Sequence, residues 1–208
     1  MRDDLRYWIQ RGENEELDFK QEISSAAKIA KTMVSFANRK GGRLLVGVRD
    51  NKSIAGIRTE DEKYMLGLAA DFFCKPTIEL EIIEHELEGK IVLEAIIPEG
   101  TDKPYSAKGE DGKWWVYVRV KDNSLLASKV VVDVLRREAS QKETLIQYTS
   151  KEKALLDYLT KNDRITLKQY CKLINISRWR ASKILVNLIS AGVIRSHTTE
   201  KTEFYTLS

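Results

Sequence analysis

A chain of 208 residues can bury one large core or two small ones, and 42% apolar with 32% charged residues excludes a disordered chain. No run of eighteen apolar residues is present, so no membrane span is expected. The charged start MRDDLRYWIQRGE is no secretory signal, which leaves the cytoplasm as the expected compartment. The net charge of +4 is uneven: residues 149–208 carry +6 and residues 1–148 carry −2, so a positive module suited to phosphate follows a slightly acidic one.

Asp4–Gln10 reads as a short helix, with Leu5, Trp8 and Ile9 on one side and Gly12 as its stop. GENEELDFK follows, four carboxylates in six residues from Glu13 to Asp18. Leu17 and Phe19 alternate with Glu16, Asp18 and Lys20, which predicts a strand with one apolar and one charged face. Ser24 or Ser25 can cap a helix reaching Asn38, with Ala27, Ala30, Met33, Val34 and Ala37 as its inward stripe. Gly41-Gly42 ends that helix, and RLLVGV reads as a buried strand running into the turn RDNKSIAG. Tyr64–Phe73 is a further helix, interrupted by Pro76. IELEIIEHEL and KIVLEAIIP flank Glu88-Gly89 as a hairpin, and KPYSAKGEDGKWWVYVRV holds another with Asp111-Gly112 at its tip. On the returning strand Trp115, Tyr117 and Arg119 share one side. Val130–Gln147 is expected to form one long helix that connects the two regions.

The last sixty residues are strongly patterned. Thr149-x-x-Glu152 and Thr166-x-x-Gln169 are capping boxes that open two helices. Ser177 caps a third, whose stripe Ala181, Ile184, Leu185, Leu188 and Ile189 has helical spacing. Gly192 stops it, and VIRSHTTEKTEFYTL reads as two strands joined around Thr199–Lys201. Three helices and a β-ribbon in this order resemble a winged helix over residues 149–208. In helix-turn-helix proteins the outer face of the last helix enters the major groove. Here that face carries Arg178, Trp179, Arg180, Lys183 and Asn187, residue types that suit base edges and phosphate. Arg195, Thr199 and Lys201 are the expected wing contacts.

In the first region, Glu13, Leu17-Asp18-Phe19-Lys20, Phe36-Ala37-Asn38, Gly41-Gly42, Gly47-Val48-x-Asp50 and Tyr117-x-Arg119 occur in one order. This series, from residue 12 to about 128, resembles the Schlafen-type AlbA-like domain, a family associated with DNA binding. Asp18 stands where the family mostly has Glu. The resemblance implies an α/β (α+β) domain with a mixed sheet over residues 1–130; the residue patterns place a connecting helix at 131–148 and a small winged-helix domain at 149–208 after it. It also implies two functions. Many bacterial members pair this domain with a winged helix and are regarded as transcriptional regulators. Others are RNA-cutting nucleases with three carboxylates, which fall by motif on Glu13, Asp18 and Asp50.

Carboxylates gathered in that way would bind Mg²⁺ or Mn²⁺, and Lys20 would offset developing charge. The bland alternatives are that Glu15 and Glu16 are solvated, that Asp50 is turn chemistry, and that Lys20 only pairs with Asp18 or Glu22. Gly41-Gly42 lacks a phosphate-cradling loop around it, although Arg39, Lys40 and Arg43 could touch a nucleic-acid backbone. His85 and His197 have no partner in the sequence that points to metal or triad chemistry, and Cys74 and Cys171 are too far apart for a zinc site. The expected function is therefore a DNA-binding regulator, with DNA or RNA as partner and a homodimer through the first domain as one allowed arrangement. A metal-dependent nuclease is the alternative, and a protein-interaction adaptor the third.

Overall fold

The computed structural model describes residues 5–57, 60–140 and 148–208, and the chain folds as two units, Met1–Leu126 and Ala127–Ser208. In the first unit the order is α1 (Leu5–Arg11), β1 (Leu17–Lys20), α2 (Ala26–Ala37), β2 (Gly42–Val46), α3 (Asp61–Phe72), β3 (Cys74–Lys75), β4 (Glu81–Leu87), β5 (Lys90–Ile97), β6 (Ser106–Lys108), β7 (Trp114–Val120) and β8 (Asn123–Leu126). Four strands form a mixed sheet in the order β1-β2-β5-β4, and four more form an antiparallel sheet in the order β3-β6-β7-β8.

Helix α2 begins where its sequence says it should. Ser25 has an extended backbone, and its hydroxyl accepts the Lys28 N–H, satisfying a donor that helix geometry leaves orphaned. Ala30, Met33, Val34 and Ala37 are buried as expected, while Ala27 is only half-buried. The helix packs on the second sheet and shares one core with Leu44 and Val46 of β2, and Leu93, Ala95 and Ile97 of β5. Leu17, Phe19, Leu45 and Val92 face the other way, into a core closed by Leu5 and Ile9 of α1. A sheet buried on both faces explains why β2 and β5 read as continuous apolar runs.

Strand β1 departs from its expected two-faced character. Asp18 pairs across the sheet with Leu44, on the face opposite Leu17 and Phe19, and it is 3% exposed. That face is covered, so alternation in the sequence marks two different interiors rather than a core and a solvent side. The Glu88-Gly89 hairpin forms as expected, with both turn residues at positive φ (55° and 68°), the conformation that a two-residue connection with native twist demands. Strands β3 and β8 have no counterpart in the sequence reading.

The second unit holds α4 (Lys129–Ala139), α5 (Ser150–Leu159), α6 (Leu167–Leu173), α7 (Arg178–Ser190), β9 (Ile194–Thr198) and β10 (Glu203–Leu207). Both capping boxes form, Thr149 with Glu152 and Thr166 with Gln169. Strands β9 and β10 pair antiparallel, and an isolated bridge ties Ile165 to Tyr205. The helix expected at Val130–Gln147 starts at Lys129 and ends at Ala139 with Ser140 as its C-cap; the portion at 141–147 lies outside the described residues. Instead of standing apart as a connector, α4 packs on α7 and buries Val130 and Val134 in the second core. Helix α7 therefore buries Ser182 and Val186 as well as the expected Ala181, Ile184, Leu185 and Leu188. No helix among the described residues is long and apolar enough to cross a membrane.

Candidate nucleic-acid interface

The acidic segment is built around an arginine supplied from far along the chain. Arg119 of β7 is 1% exposed. Its Nη2 donates to Asp18 Oδ1 at 2.9 Å and to the Leu17 carbonyl at 3.1 Å, while Nε donates to the Asn14 carbonyl at 3.1 Å. Its guanidinium also lies 4.9 Å from the Phe36 ring centroid. The second Asp18 oxygen meets Lys20 Nζ at 2.6 Å. Glu13 accepts the Phe19 N–H at 2.9 Å, and burial, with the neighbouring Asp18 carboxylate adding to it, raises its pKa from 4.5 against the lowering effect of that N–H. Two acids and two cations cancel here. Asp50 is exposed, in the turn that the Lys52 N–H closes onto the Arg49 carbonyl at 2.7 Å.

These donors do not fit a divalent cation. Hard cations need free carboxylate oxygens converging on one point, yet Asp18 has one oxygen on Arg119 and the other on Lys20. Among the described residues no three His, Cys, Asp or Glu side chains are placed to hold a metal ion. Of the expected Glu13, Asp18 and Asp50, the structure brings Glu13 and Asp18 together, with Lys20 and Arg119 beside them. Asp50 keeps the turn role, and Lys20 pairs with Asp18. The Cys74 thiol is buried and pushed up to about 12 by that burial, so it supplies no nucleophile.

The basic residues sort into free and engaged. Arg178, Arg180 and Lys183 are exposed, and no salt bridge among the described residues takes them up. Trp179 is 65% exposed, and Lys183 Nζ sits 5.4 Å from its ring centroid, within cation–π range. The Ser177 hydroxyl accepts the Arg180 N–H, which anchors this first turn. Asn187, expected on the same outer face, is engaged: Arg137 Nη1 of α4 donates to its Oδ1 at 2.6 Å. In the hairpin Arg195 and Lys201 are exposed.

In the first unit Arg39 and Lys40 are exposed, but Arg43 is not a free contact. It is ion-paired with Glu94, itself 4% exposed, and stacks 4.7 Å over the Trp8 ring centroid. Glu94 also meets His85 Nε2 at 2.8 Å. A buried carboxylate left without a partner is expensive, so Arg43 serves the interior.

The family model described as "Schlafen, AlbA_2" matches residues 13–128, more than half of the chain. The chain belongs to the Schlafen AlbA_2 family. Among solved structures, this Schlafen AlbA_2 protein is similar to the DIP2311 protein from Corynebacterium diphtheriae, with 20% identity and a TM-score of 0.48. That match covers 65% of the chain but only 30% of the other. It is also similar to the N-terminal domain of a protein from Nitrosomonas europaea named as ATP-dependent DNA helicase RecG-related, with 21% identity and a TM-score of 0.40. There the match covers 60% of the chain and 94% of that domain. No match was found among curated proteins.

Two features of the Schlafen AlbA_2 chain escaped the sequence reading. Arg119 was visible as part of Tyr117-x-Arg119, but its partner lies 101 residues away, a pairing no local pattern reveals. Arg136 and Arg137 fall within the expected connecting helix, and Lys129 lies just before it. The signal that marks them is three cations at i, i+7 and i+8 of one helix, beside the apolar positions Val130 and Val134.

Proposed function

We propose that this protein binds duplex DNA through α7 and acts as a DNA-binding regulator. The second unit is read as a winged helix in which α7 enters the major groove and β9–β10 is the wing. The observation that carries this is the first turn and a half of α7. Arg178, Trp179, Arg180 and Lys183 project outward from a helix whose other sides are buried. An exposed tryptophan beside exposed arginines has no packing role, and arginine is the side chain best suited to guanine edges. The positive charge of the C-terminal region supplies the sequence-independent attraction to phosphate. The Schlafen AlbA_2 unit supports a nucleic-acid role by family, with Arg39 and Lys40 as its free cations.

The test is a mobility shift with labelled duplex DNA, single strands and tRNA, comparing the native chain with an Arg178→Ala/Arg180→Ala variant. Loss of one bidentate contact weakens binding by about 1–3 kcal/mol, so the double variant should bind at least tenfold more weakly. Equal affinity of the two proteins would refute the assignment. A parallel set containing Mn²⁺ should show no cleavage that depends on Asp18.

A further inference from the structure

Helix α4 does more than pack on α7: the two helices flank a trench of about 580 Å³ within the second unit. One wall presents Lys129, Arg136 and Arg137, and the other Arg178, Trp179 and Lys183. Among the described residues, the acids lining it are Asp133 and Glu203. These cations have different standings. Arg137 is committed to Asn187 and so fixes α4 against α7. Arg136 has a side chain 63% exposed and meets Asp133 at 3.0 Å on its own helix; such an exposed pair is weak and yields readily to a stronger anion. Lys129 is exposed in the first turn of α4, which contains no acid. A cation there opposes the helix dipole, so helix stability does not account for it.

We propose that this trench is the track of one sugar–phosphate strand: while α7 faces the bases, Lys129 and Arg136 of α4 hold phosphates of the flanking backbone. The proposal rests on the reading of α7 as the DNA-contacting helix and extends that interface onto an element outside the three-helix module. Phosphate contacts of this kind fix register and orientation without reading sequence. They also displace counterions, giving a slope of log K against log salt of about −0.9 per phosphate.

The experiment measures binding of a labelled random-sequence duplex to the full chain by fluorescence anisotropy, between about 50 and 200 mM salt. Three proteins are compared with the native chain: Lys129→Ala/Arg136→Ala, the charge-keeping Lys129→Arg/Arg136→Lys, and Arg178→Ala/Arg180→Ala. The first should flatten the slope by about 1.8 and weaken binding alike for unrelated sequences, and the second should keep the native slope. A native slope in the Lys129→Ala/Arg136→Ala protein, with binding lost in the α7 variant, overturns the α4 track and leaves the α7 reading standing. Native behaviour in both alanine variants overturns the two together. A loss confined to one DNA sequence would mean base contact instead of phosphate contact and would also overturn the track.

Discussion

Replacing Arg119 by Met should damage the first unit far more than its single position implies. The change removes the 2.9 Å ion pair to Asp18 and two bonds to backbone carbonyls, those of Leu17 and Asn14 at 3.1 Å each. Methionine retains much of the stem volume against Phe36, so the cavity contribution is small. Breaking a buried pair by removing one partner costs about 3–5 kcal/mol. Lys20 still reaches Asp18 at 2.6 Å, which places the loss toward the lower end, about 3 kcal/mol. At a urea m-value near 2 kcal/mol/M that is a midpoint shift of roughly 1.5 M. The assay is urea unfolding followed by tryptophan fluorescence in a Trp179→Phe background, which leaves Trp8, Trp114 and Trp115, all in the first unit. Asp18→Asn in the Arg119→Met protein should then cost at least about 1 kcal/mol less than in the native chain, as contacting residues couple. A loss below about 1 kcal/mol for Arg119→Met, or additive effects, would refute the view that this pair organises the acidic segment.

Two further perturbations test neighbouring parts of the structure. Glu13 has a folded-state pKa above 4.5, so the folded protein holds a proton there that the unfolded chain releases, and stability falls as pH rises through that window. Glu13→Gln should therefore raise the melting temperature at neutral pH, with the difference vanishing below about pH 4.5; a difference that grows on acidification would contradict the assignment. Gly41 has φ +77°, and a Cβ there would meet the Ile97 carbonyl oxygen at 2.6 Å and the Glu99 nitrogen at 2.8 Å. Gly41→Ala should cost clearly more than the roughly 1–2 kcal/mol of a left-handed residue alone. Gly112→Ala (φ +74°, nothing within 4 Å) should cost only that amount, and equal urea midpoints for the two would refute the clash.

What the sequence revealed and what it hid follow from the range of the interactions involved. Caps, boxes and stripes are local, so Ser25, Thr149, Thr166 and Ser177 announced their helices, and Glu88-Gly89 announced its turn. The surroundings of a polar side chain are set by strands distant in sequence. Asp18 read as solvent-facing because nothing within β1 shows Arg119 arriving from β7. For the same reason Arg43 looked free until Glu94 was placed beside it, and Asn187 looked free until Arg137 was. Strand β3 is two residues long, too short for any period to register. At Asp50 a turn residue and a metal ligand carry the same letter, so the sequence alone does not separate the two roles.

The central claim is that α7 meets nucleic acid, and the most direct measurement is photo-crosslinking of the full chain to duplex DNA carrying photoreactive bases, with the crosslinked peptide identified by mass spectrometry. The crosslinks should fall on the peptide containing Trp179 and disappear in the Arg178→Ala/Arg180→Ala variant. Crosslinks confined to residues 1–126, and undiminished in that variant, would contradict the account.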